Sequence, residues 1–347
     1  MPSMSYDFAQ ASPPETAREC RPQTLFALVD CDNFYVSCER VFNPRLRDRP
    51  VVALSNNDGC IISRSREAKA LGVKMGAPLH HVTAEIHRHN IAVLSSNYAL
   101  YGDMSARVLE TLRQFTPDIE VYSIDEAFLR LSAPPRGTFD ELARDIRRTV
   151  GRWTGVPVSI GLGQTKTLAK VAVEVAKKSG GVFNIASFPN PETVLRETPV
   201  GDIWGIGKRY RIWLESLGVD TALALRDLDD EVIRRRAGIV GLRTVWELRG
   251  RSCLPLTALV PARKGITASR SFGRPVRDYK LLREAVASYA ARAGVKLRRD
   301  SSVAGFLTVF LMTNRFSDET QYSKSAVVPL VPASDSDCDL IRAATSG

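Results

Sequence analysis

The sequence predicts an α+β protein of more than one domain, and three observations lead there. Short apolar, strand-like runs alternate with helical periodicity as far as about residue 184. From Pro191 to Cys253 the pattern is helical, in short pieces broken by glycine-containing turns. After a linker-like stretch the chain becomes strongly basic and mixes strand and helix patterns again. At 347 residues there is enough chain for several cores.

The first strand is "TLFALVD", Thr24–Asp30, which ends on an acid and leads into the helical "NFYVSCERVF". "PVVALS" is a second buried strand, followed by the turn signal "NNDGC". "SREAKALGV" reads as a helix closed by Gly72, and "NYALYGDMSARVLETLRQFTPD" as a long helix stopping near Pro117. Ile119–Leu131 has strand character. "TFDELARDIRRTVGRWTG" is a helix whose Thr138 and Glu141 form a capping-box pattern. "VPVSIGLG" is a strand, and "TKTLAKVAVEVAKKSGG" a helix with a glycine stop. Part of this order suits a split βαβ, ferredoxin-like sheet. "LPLTALVPARKG" is a linker candidate. The remainder reads as strand "TASRSFGRPV", a long helix, strands "SVAGFLTVFLMT" and "SAVVPLV", and the start of a helix.

Composition narrows the function class. No apolar run approaches membrane-spanning length, and residues 1–23 lack the apolar core of a signal peptide, reading instead as a flexible tail or leader. The cytoplasm is the default address. The six cysteines form no C-x-x-C pair, so free thiols are expected. The four histidines fall within "HHVTAEIHRH" without acidic or cysteine partners at zinc spacing, so an exposed polar region is expected there. Net charge is +10, and residues 262–300 alone hold eleven Lys/Arg against three acids. That concentration points to nucleic acid rather than to an anionic membrane.

Two neighbouring carboxylates interrupt "VYSIDEAFLRL" at Asp125 and Glu126. Adjacent strand residues face opposite ways, so a regular strand does not accommodate both on one solvated face. A turn is the plain account, although "SIDEA" lacks Gly, Asn and Pro. A hairpin would also bring both acids beside Asp30 at the end of the first strand. Alone, Asp30 reads as a helix N-cap. Three clustered carboxylates repel unless they bind cations, and hard oxygen donors suit two Mg²⁺ ions. In "IISRSREAKALG", Ser63, Arg66 and Lys69 recur at intervals of three around a helix start, a phosphate-site pattern or a solvated basic face. Lys177 precedes a glycine turn and reads as part of a helix C-cap. In "DIWGIGKRYRIWLESLGV", Gly205, Gly207 and Lys208 make a helix-hairpin-helix pattern, in which backbone N–H groups meet a DNA phosphate; an ordinary αα-turn is the alternative.

Together "FALVDCDNFYVSCERVF", "PVVALSNNDGCIISRSREAKALGVKMG", "SSNYALYGDMS", "YSIDEAF", "TKTLAK", "WGIGKR" and "SRSFG" resemble the Y-family translesion DNA polymerases, in their UmuC-like branch. The similarity runs from about Leu25 to the end of the chain. It implies a right-hand polymerase with a ferredoxin-like palm (24–34 and 97–184), small fingers (35–96), a helix-hairpin-helix thumb (185–252), a linker (253–264) and an α/β little finger (265–347) that is C-terminally truncated. It implies error-prone, template-directed dNMP transfer to a primer 3′-OH in the SOS response to DNA damage. Asp30, Asp125 and Glu126 then match the metal-binding carboxylates, and Cys31 the residue whose backbone carbonyl joins them. Tyr35 matches the steric gate against a 2′-OH. Ser63, Arg66, Lys69 and Lys177 match triphosphate contacts, with Arg66 standing where an aromatic is common in the wider family. Gly205, Gly207, Lys208, Arg270 and Arg274 match DNA contacts. Implied partners are primer-template DNA, dNTP, a UmuD-type dimer and a RecA filament. A sliding clamp is not expected, since the tail that carries its peptide is absent. The rival classes are a non-catalytic DNA-binding protein, a two-metal nuclease and a cyclase on a similar palm; nucleotide-dependent primer extension separates them.

Overall fold

The structure is a computed structural model that describes residues 24–257, 263–314 and 320–346. The expected N-terminal tail, 1–23, and residues 258–262 of the expected linker lie outside the described residues. Internal contacts divide the chain into two units, Met1–Val260 and Pro261–Gly347.

The first unit opens with β1 (Thr24–Cys31) and α1 (Phe34–Phe42). There follow β2 (Val51–Leu54), β3 (Ile61–Arg64), α2 (Arg66–Ala70), α3 (Thr83–Arg88) and β4 (Ala92–Leu94). Next come α4 (Tyr98–Leu112), β5 (Ile119–Val121), β6 (Glu126–Ser132), α5 (Phe139–Thr154), β7 (Val158–Gly163), α6 (Lys166–Ala176) and β8 (Val182–Asn184). Helices α7 (Pro191–Glu197), α8 (Lys208–Ser216), α9 (Ala222–Asp227) and α10 (Asp230–Leu248) complete it.

Strands of the main sheet lie in the order β5-β6-β1-β7-β8. β1 runs antiparallel to both β6 and β7, and β7 parallel to β8. The first four strands of that order, with α4 and α5, form the expected split βαβ, ferredoxin-like arrangement. Alternation along β1 sends Ala27, Val29 and Cys31 into a core shared with α1, α4 and α5. Phe26 and Leu28 go to the other face, under α6, with Phe128 and Trp204. Asp30 has the parity of Leu28 and so faces α6. Helix α6 sits close to β7 because Gly161 and Gly163 carry no Cβ. A Cβ on Gly161 would fall against the α6 backbone, 2.7 Å from Ala172 C and nearer still to Val173 N and Ala169 O.

A smaller sheet, β3-β2-β4, packs one apolar cluster against α2 and α3 and another against α1. Ser63, Arg66 and Lys69 straddle the helix start, as expected. Ser63 lies on β3, and α2 begins at Arg66, capped by the Ser65 hydroxyl. The β-branched pair Ile61-Ile62 favours strand. The short strands β4 and β8 were not legible; each is three residues held by a parallel neighbour. Residues 191–248 are helical as expected, around a core of Leu214, Val219, Leu225, Ile233, Val245 and others. On the upstream side of the Gly-Ile-Gly turn, however, there is only a 3-10 turn, Val200–Asp202, rather than a helix.

The start of the expected linker is anchored. The buried Glu247 carboxylate accepts from Thr167 N at 3.0 Å, Cys253 N at 2.6 Å and Leu254 N at 3.1 Å. The buried Lys166–Glu120 pair continues the grip: Lys166 donates to Pro255 O at 2.9 Å, and Glu120 accepts from Thr257 N at 2.6 Å. Glu247→Gln keeps the shape but turns an amide N–H₂ towards backbone donors. It is expected to cost about 2 kcal/mol, the scale of hydrogen bonds to a charged group, measured by urea unfolding.

The second unit contains α11 (Tyr279–Arg299), β9 (Ala304–Met312), β10 (Ser323–Ser334) and α12 (Asp337–Ser346). β9 and β10 pair antiparallel, and Leu297, Leu330 and Leu340 anchor the core. The expected strand "TASRSFGRPV" is irregular instead. One set of alternate positions is Thr267, Ser269, Ser271, Gly273 and Pro275, the other interleaves Arg270 and Arg274 among Ala268, Phe272 and Val276, so neither offers a continuous apolar face, and Pro275 lacks a ladder donor. Arg270 and Arg274 are exposed there and have no ion-pair partner among the described residues.

Candidate active site

The hairpin between β5 and β6 answers the question of the paired acids. β6 begins at Glu126, and Asp125 sits in the turn before it. Ser123 supplies what Gly or Asn would otherwise give: its Oγ accepts from Asp125 N at 3.2 Å and Glu126 N at 3.0 Å, and donates to Asp125 Oδ1 at 2.6 Å. Asp30 is registered directly opposite Glu126, and Cys31 N donates to Asp125 O at 2.8 Å. Both the turn and the clustering of acids are therefore present, one producing the other.

Helix α6 aims cations at these acids. Lys177, just past its end, lies 2.9 Å from Asp30 Oδ2 and 2.7 Å from Glu174 Oε1. One side of the helix further back, Lys170 lies 2.9 Å from Glu126 Oε1. Burial pushes Asp30 up to about 6, the ammonium of Lys177 opposing and the charges of Glu126 and Asp125 reinforcing the rise. Burial works against the charge of Lys177, but Asp30 and Glu174 together hold it well above the ordinary lysine range. Burial likewise drives the Cys31 thiol far up, leaving it an inert core group.

Among the described residues no three His, Cys, Asp or Glu side chains are grouped closely enough to hold a metal ion; Asp30 pairs with Lys177 and Glu126 with Lys170. The chemistry nevertheless fits. Asp30, Asp125 and Glu126 are hard-oxygen donors at adjoining backbone positions, and burial with the neighbouring carboxylates raises Asp30 despite Lys177, which an added cation would relieve.

Around the acids lies a set of cations and rings. Burial lowers Lys69, as do the charges of Arg64 and Lys177, while Asp32 and Asp30 raise it. Arg66 reaches Asp32 Oδ2 at 3.3 Å, and Ser159 Oγ donates to Asp32 Oδ1 at 2.8 Å. The Ser63 hydroxyl is committed to the start of α1, donating to Asn33 O at 3.3 Å and accepting from Val36 N at 3.4 Å. Asn33 itself holds the left-handed φ of 51° that Asn tolerates. Tyr35, in the first turn of α1, stacks on Tyr101 with centroids 4.4 Å apart and planes at 16°. Tyr101 is buried and donates to Glu39 Oε1 at 2.9 Å.

The fold thus gathers Asp30, Cys31, Tyr35, Ser63, Arg66, Lys69, Asp125, Glu126 and Lys177 around the end of β1. Gly205, Gly207 and Lys208 form an exposed turn at the start of α8, where Gly205 has φ +91° and no side chain caps the helix. Trp204 ties that turn to the sheet. Sequence reasoning missed Asp32, Ser123, Lys170 and Tyr101. Each lies within a family-like motif, Asp32 in "FALVDCDNFYVSCERVF", Ser123 in "YSIDEAF", Lys170 in "TKTLAK" and Tyr101 in "SSNYALYGDMS", with no signal of its own to set it apart.

Residues 29–174 match the impB/mucB/samB family, and residues 263–347 the C-terminal domain of that family. UmuC of Salmonella typhimurium is 44% identical over 327 residues, spanning 92% of this chain and 77% of the relative. The chain belongs to the impB/mucB/samB family. MucB of Escherichia coli is 39% identical over the same shares of the two chains. DNA polymerase IV of Desulfatibacillum aliphaticivorans is 29% identical, over 88% of this chain and 76% of that one. Among solved structures, a Y-family chimera of Dbh and Dpo4 superposes with a TM-score of 0.71 at 23% identity, covering 93% of this chain and 92% of that one. The protein is therefore a UmuC-like Y-family polymerase, a DNA-directed nucleotidyltransferase of translesion synthesis, and the right-hand fold expected from the sequence holds. Among the described residues of this impB/mucB/samB chain, no helix is long and apolar enough to cross a membrane.

Proposed function

We propose that the end of β1 is the nucleotidyl-transfer centre of this polymerase, with Asp30, Asp125, Glu126 and the Cys31 carbonyl holding two Mg²⁺ ions. The observation that carries this is the register of Asp30 against Glu126, with Asp125 in the adjoining turn. Bound there, the metals would supply positive charge to the reacting oxygens and favour the primer alkoxide. The chain's own groups do the rest. Lys177, Lys69 and Arg66, with Ser63 beside them, form a cationic wall for the triphosphate of dNTP, which relieves the mutual repulsion of the cations. The primer 3′-oxygen bonds to the α-phosphorus, the bond to the bridging oxygen breaks, and pyrophosphate leaves. Catalysis is then mostly positioning and charge stabilisation.

The five-stranded sheet serves as palm, the β2–β4 sheet as fingers and α7–α10 as thumb. The second unit is the little finger. Gly205, Gly207 and Lys208, with Arg270 and Arg274, hold primer-template DNA by its phosphates. The site of action is the cytoplasm, and the partners that the UmuC-like resemblance implies are a UmuD-type dimer and a RecA filament.

Tyr35 is the sugar gate, its ring fixed from behind by Tyr101. Primer extension by the purified full chain tests the whole assignment. Tyr35→Ala is expected to raise ribonucleotide incorporation relative to dNTP by about 10²-fold, the loss of one steric clash in a packed pocket. An unchanged ratio removes the gate role, and cleavage in place of extension removes polymerase activity.

A further inference from the structure

Lys170 is enclosed by more than Glu126. Its ammonium lies 4.3 Å from the ring centroid of Tyr122, 5.6 Å from Trp204 and 5.9 Å from Phe128. The three rings brace one another. Tyr122 stands edge-on to Trp204 at 5.5 Å and to Phe128 at 5.6 Å, and Trp204 tilts over Phe128 at 5.8 Å. Trp204 Nε1 donates to the Tyr122 hydroxyl at 2.9 Å. An ammonium over aromatic faces is attracted by their quadrupoles, more strongly as water is excluded. Lys170 therefore has one charged partner, Glu126, and one aromatic box that fixes where the ammonium sits.

The box draws on separate parts of the chain. Tyr122 belongs to the β5–β6 turn and Phe128 to β6. Trp204 immediately precedes Gly205 and the Gly-Ile-Gly turn. A residue of the proposed DNA-phosphate turn is thus a wall of the pocket that orients a proposed metal ligand. Packed rings of this kind transmit position because they do not deform continuously.

We propose that Trp204 and Tyr122 are positioning residues that seat Lys170 and, through it, hold the Glu126 carboxylate in place, coupling the turn at Gly205 to the reaction centre. This rests on the role proposed above for Glu126. The consequence is that damage at Trp204 lowers the rate of chemistry rather than the grip on DNA.

The test is a double-mutant cycle on the full chain, read by single-turnover incorporation and by primer-template affinity. Trp204→Ala is expected to lower the single-turnover rate about tenfold while primer-template Kd moves less than about twofold. In a Lys170→Met background the same Trp204→Ala change is expected to cost less than about twofold, since coupled residues are not additive. Lys170→Arg, which keeps the charge, is expected to recover most of the rate lost in Lys170→Met. Should Trp204→Ala fail to fold by its thermal melt, Trp204→Phe and Tyr122→Phe take its place. Each removes one end of the N–H to hydroxyl bond and keeps the ring, and their rate losses are expected to match and not to add. A full Trp204 effect in the Lys170→Met background, additive Phe variants, or a loss confined to DNA affinity would overturn the proposal. Glu126→Gln separates the two levels. If it keeps the wild-type rate, the role of Glu126 itself fails; if it loses the rate while the cycle is additive, only the coupling fails.

Discussion

Replacing Glu126 by Gln is expected to lower the single-turnover rate of nucleotide incorporation by about 10³-fold, as loss of a charge-stabilising group at a reacting centre does. The substitution is nearly isosteric, so the hairpin should survive: its geometry depends on Ser123 Oγ and the backbone pairing with β1, not on the Glu126 charge. What is lost is one negative charge directly across from Asp30. Lys170 then keeps its aromatic box but loses its carboxylate. Affinity for primer-template should change little, because the exposed basic groups that meet phosphate lie elsewhere. Glu110→Gln on α4, which breaks only an exposed pair with Arg113, serves as the control and should leave the rate unchanged. A Glu126→Gln enzyme within tenfold of wild type would remove the metal assignment.

Gly161→Val is expected to be the most damaging single change to the fold of the first unit. The Cβ alone would collide with main-chain atoms of α6, and a backbone cannot rotate aside as a side chain can. Overpacking a core costs about 1–3 kcal/mol and sometimes more; against backbone, the upper end or beyond is expected. Helix α6 would be lifted from β7, and Lys166, Lys170 and Lys177 would leave Glu120, Glu126 and Asp30 together. Urea unfolding and rate should therefore fall in parallel. A Gly161→Val protein with wild-type stability would show that α6 is not seated as described. At a glycine with open space, such as Gly102 on α4, the corresponding Ala change should be nearly silent or mildly stabilising.

Much of the site was legible because its signals are local. Asp30 ends an apolar run, and period-two alternation is enough to assign its face. Asp125 and Glu126 were conspicuous as charges inside a strand pattern. Lys177 stood beside a glycine stop. The capping box of Thr138 and Glu141 was read directly and is formed by both of its bonds. Harder were residues whose meaning depends on a partner far along the chain. Lys170 meets Glu126 across 44 positions, and Ser159 meets Asp32 across 127. Ser123 looked unremarkable because a serine that closes a turn leaves no periodic mark. Ser63 stood before the expected helix, and only the β-branched pair Ile61-Ile62 signalled the short strand that carries it.

By itself the sequence determined most of the long strands and helices of the first unit, the basic character of its C-terminal part and the three acids that stand out against their surroundings. Those properties follow from composition, alternation and spacing, which act over a few residues. The tertiary structure alone decided that Asp30 and Glu126 share a register, that α6 lies close enough over Gly161 to set lysines upon them, and that Trp204 walls in Lys170. These depend on which backbones approach, and the approach is fixed by packing summed over the whole unit rather than by any short stretch.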